Sequence, residues 1–492
     1  MTPLTVLGAI GAYPFIDVMR ALATPHSVKS ISKDNPKERR MKTPLLTAVS
    51  ALLFCASSSL VCAQTVPSVC TAGMLDTHYG PAASAGYVQS SPVMLNESEF
   101  EAGAFDSTND YYTVSSAAMD MLGQPLAAIV KLKPGGARDL TYGGFGSVVP
   151  APPTAGLVDA SLAIDGSDRT VIGMMSADQT NIVLARYSSA GVLDASFGTG
   201  GELTIPFQNS VNGPWAVKAA ADGTVFIATA TATNGGPWQP IVVKVTSAGA
   251  IDTSFGVAGF ASFYADNFGP SGKATDLWLN ADGTILVGGR IGDNSTYNYF
   301  YVARLTSYGA LDTSFGTNQG LTVVSFGDII AYGRKMAVQT DGKIVLMGGI
   351  IPTNSAATAN VTDTGVIRLL ANGALDTTFN GSGVMHLTNV VYQMVALQNN
   401  NKILLGGEAS LTTPTGLVAR LLTNGQPDPA FGTTGNGTVP VAAPGSPNTL
   451  ISRVSYSPGG AIIVHSGTGV AGVSAGAGFV LRLDSGSGPG CH

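Results

Sequence analysis

The chain has 492 residues, of which 11% are charged, with 62 glycines and a net charge of −6. Glu and Lys are scarce while Gly, Thr, Ser, Asn and Val dominate, which excludes a helical bundle and points to short strands joined by turns. The acidic balance excludes nucleic acid as a partner.

In chain order, the first 63 residues differ from the rest. "NPKERRMK" (Asn35–Lys42) is basic, "TPLLTAVSALLF" (Thr43–Phe54) is apolar, and "SSSLVCA" (Ser57–Ala63) is small, the pattern of a secretory signal peptide. Residues 1–40 read as an upstream extension before a natural start at Met41. Residues 41–63 read as the signal, cut after Ala63, and 64–492 as a single domain. The apolar core is shorter than the roughly 20 residues of a membrane span, so no span is expected after cleavage, and the protein is expected in the periplasm or the medium. Ser59-Leu60-Val61 before Cys62 is a poor lipid-anchor signal. Cleavage leaves 18 basic against 28 acidic residues. It also leaves Cys70 and Cys491, one near each end, and an oxidising compartment permits a disulfide between them.

From there on the chain repeats itself. "GALDTSFG" (Gly309–Gly316) has near-copies at Gly191, Gly249 and Gly373, and its Asp recurs with drift at Asp139, Asp194, Asp252, Asp312, Asp376 and Asp428. Each of these has a basic residue eight positions earlier, within an apolar run: Lys131, Arg186, Lys244, Arg304, Arg368 and Arg420. Upstream in each unit, Asp-Gly separates two β-rich runs, as in "NADGTILVGG" (Asn280–Gly289) and "QTDGKIVLMGG" (Gln339–Gly349), and predicts a two-residue hairpin turn with both residues at positive φ. Asp222-Gly223 repeats it. Asn400-Asn401 and Gly459-Gly460 take its place in two units, and Asp165-Gly166 heads a longer turn.

One unit therefore reads as four strands, a to d: near Trp215–Ala220, Thr224–Ala230, Ile241–Thr246 and Gly259–Tyr264. Such a sheet cannot bury both faces alone, and its repetition predicts an all-β fold, a β-propeller. The motif is then the c-to-d corner. Its Asp accepts backbone N–H groups of the following residues and pairs with the strand-c base, and its Phe (Phe197, Phe255, Phe315, Phe379, Phe431; Tyr142 in the first copy) plugs the space between blades.

The last strand c, "GFVLRL" (Gly478–Leu483), has its Arg482 but no corner after it, while "GMLDTHYG" (Gly73–Gly80) is a corner, Asp76, with no strand c before it. Seven corners and seven c strands predict seven blades. The seventh is shared by both termini, with strands a to c from about Ile451–Leu483 and strand d from about Tyr87–Leu95. A Cys70–Cys491 disulfide would lie at this seam and contribute ~4–5 kcal/mol in the chain-entropy model. The Gly-x-Leu-Asp-x-Ser-Phe-Gly corner at roughly 60-residue spacing, with the "DGKIVLMGG" hairpin, resembles the delta-60 repeat family, from about Gly73 to Leu483. That resemblance implies an exported bacterial propeller and carries no activity or catalytic residues with it.

Two enzyme-like motifs lie in the wrong context. "GTGVAG" (Gly467–Gly472) needs a helix after it to hold a dinucleotide, and "GVSAG" (Gly472–Gly476), around Ser474, needs a strand-turn-helix and a His–acid pair. Both fall in a Gly/Ala loop between strands. His78, His386, His465 and His492 have no metal-ligand spacing, and "DSTND" (Asp106–Asp110) reads as a hairpin turn rather than a calcium loop. No metal, cofactor or catalytic residue is assigned, and a monomer is expected.

What remains is shape. The a–b and c–d corners are regular and share one face, while the b–c and d–a loops vary and share the other. Function tends to sit on variable loops held by a rigid frame. Trp238, Tyr297 and Tyr299 fall on that face, and Trp215 opens an inner strand. The reading is an exported, non-catalytic propeller that binds a protein or a glycan there. The alternatives are a propeller lyase or glycosidase acting on polysaccharide, for which Asp276 and Asp293 are scattered acids, and a structural part of the cell envelope.

Overall fold

The computed structural model describes residues 72, 74–76, 78–80, 87–89, 100–119, 125–150, 157–176, 178–207, 210–232, 236–263, 268–293, 299–327, 329–352, 363–409, 415–442, 449–468 and 478–486. The expected extension, signal segment, Cys70, Cys491 and Tyr297 lie outside these residues. Every regular element among them is a strand. They form seven antiparallel sheets, each in the order a-b-c-d, so the fold is a seven-bladed β-propeller.

The inner strands, in blade order, are Phe100–Phe105, Leu157–Ile164, Ala216–Ala219, Ser271–Leu279, Ile329–Val338, Val391–Leu397 and Thr449–Tyr456. In the third blade a two-residue piece, Ser210–Val211, precedes the inner strand and pairs with the same neighbour. The other six inner strands each carry a bulge, in five of them at the same register, as at Ala274/Asp276 and Gly333/Lys335, and in the second blade one residue earlier, at Val158/Ala160. The sheet faces carry the core. Val, Ile, Leu and Ala of strands b and c are buried between successive blades, and the corner aromatics Phe197, Phe255, Phe315, Phe379 and Phe431 are fully buried. Each such ring stabilises the fold by about 1.5–3 kcal/mol.

The ring closes as the sequence implies. Tyr87–Gln89 is the outer strand of the seventh sheet, with Val88 opposite Val480, beside Gly478–Leu483. At the corner, Asp76 N–H donates to the Arg482 carbonyl at 2.9 Å, as Asp194 N–H does to Arg186 at 2.8 Å. One backbone bond recurs between blades all round: Gly143 to Ala190, Gly198 to Ala248, Gly256 to Tyr308, Gly316 to Asn372, Asn380 to Asn424, Gly432 to Ala72 and Gly80 to Gly135. The bond from Gly432 to Ala72 ties the sixth blade to the start of the chain, and that from Gly80 to Gly135 ties the shared seventh blade to the first.

The hairpin turns differ from the sequence expectation. Asp222, Asp282 and Asp341 do not have positive φ; only the Gly after each does, at 86°, 84° and 81°. Gly223 N–H donates to the Ala220 carbonyl, and Ala220 N–H to Thr224. This is a three-residue loop, a type I turn closed by one left-handed residue, rather than a two-residue turn. The Asp is favoured for its side chain, which accepts the Thr224 N–H at 2.8 Å. All seven blades use this loop, with Asn109, Asp168, Gly223, Gly283, Gly342, Asn401 and Gly460 in the left-handed place. The Asp165 turn is therefore no longer than the others.

Candidate functional site: corners, loop face and central channel

The corners are structural pins. In five of the seven copies a side-chain oxygen of the Asp takes both the N–H and the hydroxyl of the residue two places on, or the N–H alone: Ser196, Ser254, Ser314, Thr378 and Ala430, at 3.0–3.1 Å for the N–H. Asp139 does the same with Thr141, and Asp76 with His78, whose side chain is exposed. The other oxygen pairs with the strand-c base in all seven copies: Arg186–Asp194 at 2.8 Å, Lys244–Asp252 at 2.9 Å, Arg304–Asp312 at 2.7 Å, Arg368–Asp376 at 2.8 Å and Arg420–Asp428 at 2.6 Å, with Lys131–Asp139 looser at 3.7 Å and Arg482 closing on Asp76 across the seam. The Arg186, Arg304, Arg368 and Arg420 guanidinium groups sit 4.6–4.9 Å from the corner Phe centroid, and Arg482 sits 5.1 Å from Tyr79. Each of these arginines also donates to a carbonyl of the next blade, Arg186 to Ser247 at 2.6 Å and Arg482 to Pro134 at 2.9 Å among them.

Asp106 and Asp110 of "DSTND" both meet Lys131, at 3.2 and 3.1 Å, and Asp106 takes the N–H groups of Thr108 and Asp110. This is a capped hairpin. Among the described residues no three acids, histidines or cysteines are grouped to hold a metal ion. Of the two enzyme-like motifs, Gly467 and Thr468 end a strand b and the rest lie outside the described residues.

The sequence-selected aromatics separate. Trp238 and Tyr299 begin strands c of the third and fourth blades, at the loop face. Trp238 carries the Lys273 ammonium 4.6 Å from its ring, and Tyr299 stacks edge-on with Phe268 at 5.4 Å. Burial, and secondarily the neighbouring Arg290, lower the Lys273 pKa to about 8. Trp215 belongs instead to the central channel. Its indole N–H donates to Asn212 Oδ1 at 2.9 Å, and the same oxygen takes Lys273 Nζ at 3.0 Å. The Asn212 amide thus links the channel to the loop face.

The channel holds a cavity of about 410 Å³, lined by the C-terminal parts of the inner strands of all seven blades. It reaches exposed Thr340 and Asn399, at the regular a–b turns. Two of the three tryptophans line it, Trp215 at 40% and Trp278 at 38% exposed. So do Lys218, Lys335, Arg453 and one described carboxylate, Asp276. The Asp276 oxygens accept the N–H groups of Leu277 and Met336, both at 2.9 Å. Lys335 Nζ donates to the Trp215 carbonyl at 3.2 Å, and Arg453 Nε to Ser455 Oγ at 3.2 Å. Burial is the main cause that pushes the Lys335 pKa down; Asp276 opposes it, while Arg453, Lys218 and Arg334 add to it.

Sequence reasoning missed this lining apart from Trp215, and noted Asp276 only as a scattered acid. A signal was present: Asp276, Lys335, Met394 and Arg453 stand 59 residues apart in succession, at one place of the repeat. Another missed pair is His386 Nε2 with Asp363 Oδ2 at 2.7 Å, on the outer two strands of the fifth blade.

Compared with known proteins, the chain matches a family model described as a domain of unknown function (DUF5122), β-propeller, over residues 220–255, 281–315, 339–379 and 398–431. Each match runs from an a–b turn to the corner aromatic, in the third to sixth blades. No curated protein matches the sequence. Solved structures similar in fold include a catalytically inactive virginiamycin B lyase from Staphylococcus aureus in complex with quinupristin, at 9% identity and TM-score 0.44, covering 80% of this chain and 99% of that one. A polysaccharide lyase gives 11% identity and TM-score 0.49 over 84% and 97% of the two chains. An α-L-arabinofuranosidase from Fusarium graminearum gives 7% and 0.43 over 81% and 97%. At these values the likenesses say nothing of chemistry.

Proposed function

We propose that the protein is an exported, non-catalytic β-propeller that binds a protein or a glycan through its b–c and d–a loop face. The observation that supports this is the contrast between the faces. One repeats the same pinned corner and the same three-residue turn seven times, which is what stability asks for. The other carries connections of unlike sequence and length, and there Trp238 and Tyr299 open their strands c, Trp238 beside a lysine whose charge is weakly held. Aromatic faces beside polar groups suit sugar rings and peptide surfaces. Export is proposed on the N-terminal pattern alone, and a Cys70–Cys491 disulfide follows from it. Among the described residues no helix is long and apolar enough to cross a membrane.

The test is capture from cell-envelope extract, with a glycan array in parallel, using wild-type protein and the double variant Trp238→Ala, Tyr297→Ala. The reading expects one partner or glycan to be retained by wild type and lost by the variant at unchanged melting temperature. Equal retention by both removes the loop face from the account.

A further inference from the structure

From residue 64 onward the chain spends its cations sparingly, and their placement is uneven. Seven of the 18 are the corner bases. Lys133, Arg169, Lys343 and Lys402 pair with corner or turn carboxylates as well. Arg138 lies between strand c and the corner of the first blade. The remaining six, Lys218, Lys273, Arg290, Arg334, Lys335 and Arg453, all lie on the inner two strands of the third, fourth, fifth and seventh blades. A protein that is acidic overall thus gathers the rest of its positive charge around its own axis.

Three of those cations, Lys218, Lys335 and Arg453, line the channel cavity against the single described carboxylate there, Asp276. Asp276 is already held by two backbone amides. Like charges that share a partly dry cavity repel one another and lack the water that would screen them, and the arrangement is relieved by an anion placed among them. The rest of the lining narrows the kind of anion. Trp215 and Trp278, both in the lining, are 40% and 38% exposed. Amide and hydroxyl side chains, Ser161, Thr340, Asn399 and Asn401 among them, complete its wall. Half-exposed indole rings with scattered hydrogen-bonding groups match the alternating apolar and hydroxyl faces of a sugar. A volume of about 410 Å³ holds one or two sugar residues and nothing polymeric.

We propose that the central channel is a binding site for an anionic sugar of one or two residues, its acid group among Lys218, Lys335 and Arg453 and its ring against Trp215 and Trp278. The ligand enters from the a–b turn face, past Thr340 and Asn399. The site uses neither Trp238 nor the loop face, so its failure leaves the proposed function standing, and the reverse also holds.

The experiment titrates the full mature chain, with tryptophan fluorescence and calorimetry as readouts, against digalacturonate, glucose 6-phosphate, glucose, a neutral disaccharide and inorganic phosphate. The proposal expects saturable binding of at least one of the two acid sugars, carboxylate or phosphate as the anionic group. It expects at least tenfold weaker binding of the neutral sugars and of phosphate alone, and weakening by added salt. Lys335→Met and Lys218→Met each lower the affinity at least fivefold with the melting temperature within a few degrees of wild type, and Trp278→Ala lowers it without altering the salt dependence. Three results overturn the proposal: no acid sugar binds up to 10 mM (about 10 mM being the mM range of weak sites), neutral sugars or phosphate alone bind as well, or Lys218→Met and Lys335→Met bind as wild type.

Discussion

Arg368 and Asp376 meet with both side chains 3% exposed, whereas Arg304 and Asp312 make the same pair at 20% and 22%. Burial decides what each is worth. Removing one partner of a buried pair strands the other charge, and Arg368→Met is expected to cost about 3–5 kcal/mol in urea denaturation. Arg304→Met is expected to cost about 1 kcal/mol or less, because water reaches its carboxylate. The corner carboxylates also set the response to acid. The Ser254 hydroxyl, and then the Lys244 ammonium, lower the Asp252 pKa to about 2. Asp194 and Asp312 are lowered first by the hydroxyls of Ser196 and Ser314; for Asp139, Asp376 and Asp428 burial pulls upward and the hydrogen bonds and nearby cations outweigh it. In the unfolded chain these groups take protons near pH 4, and in the fold lower still. Their contribution is therefore complete above about pH 4 and is lost as pH falls toward 2. Chemical denaturation across that range should show the decline, and Ser254→Ala should raise the titration midpoint of Asp252 in a side-chain NMR titration; an unchanged midpoint would remove the hydroxyl from the account.

At the scale of the element, the two kinds of glycine do different work. Gly283 in the a–b turn has φ +84°, and a Cβ there would meet only Ser307 at 3.5 Å. Gly249 at the corner has φ +77°, and its Cβ would lie 2.2 Å from the Gly198 nitrogen of the preceding blade. Gly283→Ala should therefore cost about 1–2 kcal/mol, the left-handed penalty alone. Gly249→Ala should cost clearly more, because it also breaks the contact where Gly198 N–H donates to Ala248. Thermal unfolding of the two variants side by side checks the order. The corner was legible in the sequence because its Asp, base and Phe recur together and each has one possible job. The type of the a–b turn is not legible in the sequence, because Asp-Gly fits both a two-residue and a three-residue hairpin, and only the backbone angle of the Asp separates them. The channel lining was hidden for a different reason. Asp276, Lys335, Met394 and Arg453 occupy one register position at a constant spacing of 59 residues but with unlike side chains, so the spacing repeats while the residue type, the signal that revealed the corners, does not.

For the whole molecule, closure turns seven marginal sheets into one cooperative unit. A four-stranded blade leaves apolar side chains on both faces, and only a ring gives every blade two neighbours. The seam is the one place where neighbours come from opposite ends of the chain, and it reuses the ordinary corner: Leu75 bridges Leu483 as Leu193 bridges Tyr187. If the proposed Cys70–Cys491 disulfide forms on export, alkylation before reduction leaves the intact mass of the secreted chain unchanged, while alkylation after reduction adds two labels; labelling without reduction contradicts it. Seven blades and a shared seventh were readable from the sequence, because Asp76 lacks a strand c and Arg482 lacks a corner.

The most direct measurement of that closure is a double-mutant cycle on Asp76→Asn and Arg482→Met, residues 406 positions apart that meet only if the ring shuts. Unfolding free energies of the two single variants and the double variant give the coupling. The closed ring predicts about 1–3 kcal/mol, close to the value for Asp194→Asn with Arg186→Met inside one blade. Additive effects at the seam, alongside clear coupling within the blade, would contradict it.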